Sequence, residues 1–553
     1  MKGKVLLCVV LIGISAIAAN IYEKPVKLVK IEKIENMEKI EKTKNLENLI
    51  APIVATPAPI QIKASIKPEK MSYLLKPLDV QVTHNEGIDQ NPAIVTDGAG
   101  NLLTMHEIEV ESMEFDIGLS ISTDVGTTWE LMGYFPVDGA PTQPRLDFYK
   151  GKTAYGTWTA DPMAAFGYAY YAEFPDITDP EVGEYGWVYY RIPWGEHDIG
   201  VPFTSSDVAC YATDTPPTPD FWGIVAFTGD QAYREYAEDN TFMFQYNTEE
   251  GYVTIIFFYN MDEDVFNVAA DIDQSTGWFV MAADFVNETD SSIYGTMVLA
   301  RKITSNEEWW RGSWTGVLIY NCTHPAIDAN DGRIYIVTEM DVEDGSKEIV
   351  CWTSTNPANW QAWQGYYITV TPGITEQYPA ITAISNQEAM VLYTKNRNVY
   401  VCKTEDGGET WSSEEQVNDI SSTVIEQYGC LDIMDAYAVW TDESVGNYEI
   451  FFDIVGKAPV IEIYISGGFG VKATISNTGD APAENLPWSI SLEGLVIVGS
   501  YKEGIIPSLQ PGQSVIVKSG LVLGFGKVTI TVTAGSTSAT ATGFLIGPFV
   551  LIS

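Results

Sequence analysis

A chain of 553 residues exceeds one ordinary domain, so several compact units are expected. Its formal charge of −43, from 31 basic and 74 acidic residues, repels phosphate backbones and anionic headgroups. That excludes nucleic-acid binding and polybasic membrane docking. Hydrophobic residues at 46% against 19% charged supply ample core, so this is no disordered acidic tail, and 46 Gly, 28 Pro, 30 Tyr and 15 Trp favour strands joined by turns.

The N-terminus opens with Lys2 and Lys4, an apolar run from Val5 to Ala19, and the small-residue site Ala16-Ile17-Ala18. This reads as a secretory signal peptide over residues 1–19, too short for a spanning helix. Retention as an anchor is the alternative. Residues 20–70 are Lys/Glu-rich, and Ile31 and Ile34 keep a helical spacing, so a short helical stalk is expected. A Pro-punctuated linker from Pro52 to Pro68 follows it. No later stretch suits a membrane span, which predicts an exported protein, secreted or at the cell surface. Charge is unevenly spread: residues 21–70 carry +3, residues 458–553 carry −1, and residues 71–457 carry −47.

Residues 71–457 are repetitive. Asn91-Pro92-Ala93-Ile94, His324-Pro325-Ala326-Ile327 and Tyr378-Pro379-Ala380-Ile381 each open a unit, and weaker openings fit near Pro144, Val208, Asn267 and Gly429. Each unit has room for four short strands and cannot bury its faces alone, which predicts radially packed sheets, an all-β propeller. Seven blades are favoured, six if the third is an insertion. The cysteines Cys210, Cys322, Cys351, Cys402 and Cys430 form no CxxC pair and read as buried strand residues, with a Cys351–Cys402 bridge as the one candidate.

Ser122-x-Asp124-x-Gly126-x-Thr128-Trp129 and Thr404-x-Asp406-x-Gly408-x-Thr410-Trp411 match the S/T-x-D-x-G-x-T-W pattern at every defined position. This resembles the Asp box of sialidase-like, BNR-repeat propellers over roughly residues 79–457. The resemblance implies that Ser122, Asp124, Gly126, Trp129, Thr404, Asp406, Gly408 and Trp411 are structural turns rather than catalytic groups. Val439-Trp440-Thr441-Asp442 with Gly446-Asn447-Tyr448-Glu449-Ile450 is similar to blades of periplasmic and archaeal surface propellers, a group associated with binding and scaffolding.

A sialidase would need three arginines on a carboxylate, a Tyr–Glu nucleophile pair and an Asp acid/base. Arg145, Arg191, Arg234, Arg301, Arg311, Arg333 and Arg397 are numerous enough. Arg191-Ile192-Pro193 matches the family's short signature but lies downstream of the first Asp box, beside what reads as an outer strand. No catalytic residue is singled out. The histidines His84, His106, His197 and His324 form no metal pair, and no nucleophile elbow or phosphate loop appears.

Acids recur where the second strand of each unit ends: Glu107, Asp161, Asp230, Asp284, Glu339 or Asp341, and Asp442. They are expected either as independent turn residues or as a carboxylate ring able to hold calcium, with Asp341, Glu343, Asp344 and Asp442 as candidate ligands. Asn287 and Asn321 head sequons for N-glycosylation.

Residues 458–553 alternate apolar and polar positions, with turns at Asn477-Thr478-Gly479-Asp480 and Pro511-Gly512, which predicts a β-sandwich. It resembles Ig-like, CARDB-type modules that serve as spacers or attachment points. The expected function is a non-catalytic surface or extracellular protein that engages glycan or protein ligands through a propeller face. A sialidase-like glycoside hydrolase is the alternative.

Overall fold

A computed structural model describes residues 79–552 apart from short stretches, the longest being 212–220, 230–240 and 304–313. The expected signal segment and stalk lie outside the described residues. The rest is nearly all strand and forms two compact units.

Seven antiparallel sheets follow one another along the described chain, most of their residues in the larger unit. Their first strands are Asp89–Thr96, Pro141–Lys150, Phe203–Ala209, Glu263–Asp273, Cys322–Asn330, Glu376–Ala383 and Leu431–Met434. Side chains from all seven line one cavity, so these strands surround a common axis, and the architecture is a β-propeller. We number the sheets as blades 1 to 7 in this order. Blade 7 is completed from the other end of the sequence: Val80–Gln81 pairs with Glu449–Ile454, and the Val82 amide donates to the Ile450 carbonyl at 2.7 Å. Closing the ring this way gives every blade a neighbour on both faces, so no apolar sheet face is left to solvent.

The residues that open the repeats have a common conformation. Asn91, Gln143, Asn267, His324 and Tyr378 all have φ between 44° and 54°, in the left-handed region. In blades 2, 4, 5 and 6 the ladder slips at this point, for example between Thr323 and Ala326. The slip is a β-bulge that bends the first strand where it enters the ring. Apolar clusters then fill the gaps between blades. Phe279, Phe285 and Trp314 anchor the one built mostly from blade 4, Val280 and Trp352 join blades 4 and 5, and Tyr335, Tyr393 and Trp411 join blades 5 and 6. Cys351 and Cys402 share that last cluster, both buried and unbridged, so the candidate disulfide does not form.

The two S/T-x-D-x-G-x-T-W segments make the same turn between third and fourth strands. Asp124 Oδ1 accepts from the Thr128 amide at 2.8 Å, the Gly126 amide donates to Ser122 Oγ at 2.9 Å, and Trp129 Nε1 donates to the Gly126 carbonyl at 3.1 Å. In the second copy the corresponding distances are 2.9, 3.0 and 3.1 Å through Asp406, Thr404, Gly408, Thr410 and Trp411. Gly126 and Gly408 sit at φ 78° and 89°, a conformation that penalises a Cβ.

The C-terminal stretch Ile454–Ser553, which makes up most of the smaller unit, is a β-sandwich. One sheet comprises Ile461–Ser466, Lys472–Asn477 and Ser514–Lys518. The other runs in the order Gly468–Phe469, Phe549–Ile552, Thr537–Gly547, Leu523–Ala534, Ala483–Val498 and Tyr501–Leu509. Ala473, Ile475, Leu486, Ile490, Ile530 and Val532 are fully buried between them, and alternation along each strand turns the intervening residues outward.

Candidate functional site

The channel along the propeller axis is built from two layers of side chains. Counting from the left-handed residue of each blade, positions three and five face the axis, because strand residues alternate with a period of two. Position three holds Ala93, Arg145, Ala269, Ala326 and Ala380 in blades 1, 2, 4, 5 and 6. Matching hydrogen bonds place Asp207 and Asp432 in the same layer. Asp432 Oδ2 accepts from the Ile94 amide at 2.9 Å, and Asp207 Oδ2 accepts from the Ala270 amide at 2.8 Å. Each bond reaches the first strand of the following blade. One half of the layer is therefore charged, and the other half is lined with methyl groups.

The second layer holds Asp147, Asp271, Asp328 and Thr382. Asp147 Oδ2 accepts from the Cys210 amide at 2.6 Å, and Asp328 Oδ2 accepts from the Ala383 amide at 2.7 Å. The other oxygen of each takes the amide of its own next residue, Phe148 at 2.7 Å and Ala329 at 2.6 Å. These carboxylates thus join adjacent blades while facing the channel.

Their titration follows from this enclosure. Burial raises Asp147 from 3.8 to about 7 against the Cys210 amide, and the nearby Asp328 charge adds to the rise. Burial also raises Asp207 and Asp432 to about 6, with Arg145 opposing in both cases. Asp271 is pushed well up by burial and by Asp328 and Asp147. Its hydrogen bond with Asp328 acts in opposite senses on the two, raising Asp271 and lowering Asp328. Burial works against the Arg145 charge, yet Tyr428, Asp207 and Asp432 outweigh it and raise its pKa.

The cavity so lined encloses about 120 Å³. Tyr428, Tyr378, Pro325 and Pro379 stand where the first strands begin, and mark its mouth. Arg145 lies over the Tyr428 ring, 5.5 Å from its centroid, and His324 packs on Tyr428 at 4.9 Å and Tyr378 at 5.3 Å. His324 Nδ1 is 3.0 Å from Glu339 Oε1, and Lys347 Nζ reaches Glu339 Oε2 at 2.5 Å. Burial works to raise Glu339, but His324 and Lys347 outweigh it and hold it below the usual glutamate range.

The expected ring of second-strand acids is corrected by this geometry. Glu107, Asp284 and Glu339 are buried and turn between blades. Each accepts the amide of the next blade's left-handed residue: Gln143 at 2.8 Å, His324 at 3.0 Å and Tyr378 at 2.6 Å. Asp161 and Asp230 lie outside the described residues. The calcium candidates do not converge either. Asp341 accepts from the Tyr294 hydroxyl, and Asp344 takes the Ser346 amide at 2.9 Å and the Gly373 amide at 2.8 Å. Asp442 belongs to blade 7 and is engaged by Thr423 and Ser444. Glu343 lies in the turn beside Asp344. Among the described residues no group of three His, Cys, Asp or Glu could hold a metal ion.

Of the arginines, Arg145 is the one found among the described channel-lining residues. Arg333 donates to the Asn386 carbonyl at 2.7 Å, and Arg397 pairs with Glu443. Arg191 lies on Glu184–Trp194, the fourth strand of blade 2, and Arg234 and Arg311 fall outside the described residues. Asn287 and Asn321 lie at strand ends, with Asn287 Oδ1 accepting from the Thr289 hydroxyl at 2.8 Å. The channel aspartates went unread in the sequence, although a signal was there: alternate residues after each opening.

No family model matches the chain, and no curated protein matches it. Solved structures do. An α-L-arabinofuranosidase of Fusarium graminearum, in complex with arabinobiose, is 9% identical with a TM-score of 0.40, covering 69% of this chain and 98% of its own. An α-L-arabinanase of Penicillium chrysogenum is 10% identical with a TM-score of 0.37, covering 69% and 98%. A sialidase of Trypanosoma rangeli, in complex with sialic acid, is 11% identical with a TM-score of 0.33, covering 89% and 92%. Among the described residues no helix is long and apolar enough to cross a membrane. The expectation of a non-catalytic binding and adhesion protein is not what these neighbours suggest: the three solved structures named above are glycoside hydrolases.

Proposed function

We propose that the propeller is a glycoside hydrolase whose active centre is the axial channel and its mouth. One observation carries the reading: Asp207 and Asp432 share a layer with Arg145, face a wall of alanine methyls, and titrate near 6. Glycoside hydrolysis needs one carboxyl that holds a proton for the leaving oxygen and one that is charged. Two carboxyls coupled through one guanidinium supply both states together near pH 6. A cavity of about 120 Å³ is smaller than the roughly 300 Å³ of a typical ligand pocket, so the sugar engages at the mouth.

The charge selects the substrate class. Five aspartates surround the channel's single described arginine, and residues 71–457 carry −47, so a sugar carboxylate is disfavoured and a neutral glycan favoured. Export to the cell exterior belongs to the same proposal and rests on the N-terminal sequence; N-terminal sequencing of the mature protein tests it, and retention of residues 1–19 would contradict it. For the activity, neutral and sialylated chromogenic glycosides are offered to the wild type, Asp207→Asn and Asp432→Asn. Release from a neutral glycoside, lost at least 100-fold in both variants while circular dichroism shows them folded at the assay temperature, is expected. Release that survives both substitutions would remove the channel from the mechanism.

A further inference from the structure

The sandwich exposes an apolar end that its own fold leaves uncovered. Four segments meet there, 467–471, 494–500, 519–526 and 543–552, and none contains a charged residue. The ladder brings them together: Phe469 lies opposite Phe549, Ile546 pairs with both Phe549 and Phe525, and Val498 lies opposite Leu523. Phe469, Leu495, Ile497, Phe525, Phe549 and Leu551 are each more than half exposed, with Ile497 at 78%. The rings are already arranged, with Phe469 on Phe549 at 5.9 Å and Phe525 on Phe544 at 5.7 Å, both edge-on.

We propose that this end is a self-association surface, buried against the same end of a second copy of the chain in a twofold dimer. Three observations favour a second copy. With its aliphatic neighbours the patch offers on the order of 1,000 Å² of apolar surface. That exceeds the roughly 300–600 Å² patches of ordinary monomers and meets the roughly 800 Å² per partner of a stable interface. The charge permits association only here: residues 458–553 carry −1, so two such modules meet without repulsion, whereas propeller-to-propeller contact would oppose two surfaces of −47. The edge strand Tyr501–Leu509 beside this face carries Lys502, Glu503 and Pro507, which obstruct strand addition there. A twofold contact through the face sets the same apolar residues of both copies against one another.

Sedimentation velocity of residues 20–553 at 1–50 µM tests this, comparing the wild type with Ile497→Lys and with the milder Phe525→Ser. The expected result is a dimer for the wild type and at least a 100-fold weaker association for both variants, at unchanged melting temperature and circular dichroism. A wild type that stays monomeric at 50 µM, or a dimer that both substitutions leave intact, would overturn the proposal. So would a monomer that co-sediments with phosphatidylcholine vesicles, since the face would then belong to lipid. Glycosidase activity is a separate readout, unaffected in these variants.

Discussion

Lowering the pH from 8 to 5 should stabilise this protein, although its charge is acidic throughout that range. A carboxyl whose folded pKa is raised contributes stability that is full below its unfolded pKa and is lost as pH rises through the folded value. Asp147 is raised from 3.8 to about 7, and Asp207 and Asp432 from 3.8 to about 6. The window for the loss is therefore about pH 4 to 7. At about 1.4 kcal/mol per pH unit, the three taken independently favour pH 5 over pH 8 by about 5 kcal/mol. Channel water and mutual relief, since protonating one lowers its neighbours, reduce this to about 2–3 kcal/mol. Asp284 and Asp89, both raised to about 7 by burial, act in the same direction. His106 acts against them. It is fully buried, and burial lowers it to about 3, so the fold loses about 2 kcal/mol as pH falls from its unfolded value near 6.5 to 5. The net gain is at least about 3 kcal/mol, or about 4 °C or more in melting temperature for a unit of this size. Intrinsic-fluorescence melting at fixed ionic strength measures it, and Asp147→Asn should flatten the profile. A melting temperature that is level, or higher at pH 8, would refute the reasoning.

Two further outcomes follow from the hydrogen bonds. Asp328→Ala removes a carboxylate that accepts one backbone amide across a blade boundary and one from its own next residue, so chemical denaturation should show a loss of about 2–4 kcal/mol; a loss under 1 would mean the bond does not hold the blades. Asp406→Ala unmakes three bonds of a surface turn, from the Thr410 amide and hydroxyl and the Thr404 hydroxyl, and should cost about 1–2 kcal/mol while leaving any glycosidase activity intact.

The propeller was legible because its signals are local. Asn91-Pro92, His324-Pro325 and Tyr378-Pro379 mark the left-handed residue at which each first strand enters the ring, and Trp129 and Trp411 close identical turns. The sandwich was legible from alternation in Lys472–Asn477 and Leu523–Ala534. The channel was not, because a carboxylate facing the axis and one turned between blades look alike in sequence. Glu107 and Asp284 recur as regularly as Asp147 and Asp328, and only the direction of the strand face separates them. Asp207 and Asp432 were harder still, since their layer is shared with alanines and one arginine rather than with other acids. The apolar end of the sandwich escaped notice because its four segments are distant in sequence and each reads as an ordinary strand end.

The central claim is that the channel layer of Arg145, Asp207 and Asp432 performs glycoside hydrolysis. Its most direct test is the pH–rate profile for a neutral chromogenic glycoside, with Arg145→Met as the control. The account predicts a bell centred near pH 6, from two coupled carboxyls, and a loss of at least 100-fold in kcat/KM for the variant, measured below its own melting temperature where it remains folded. A folded wild-type protein that releases product from no glycoside between pH 4 and 8 would contradict it.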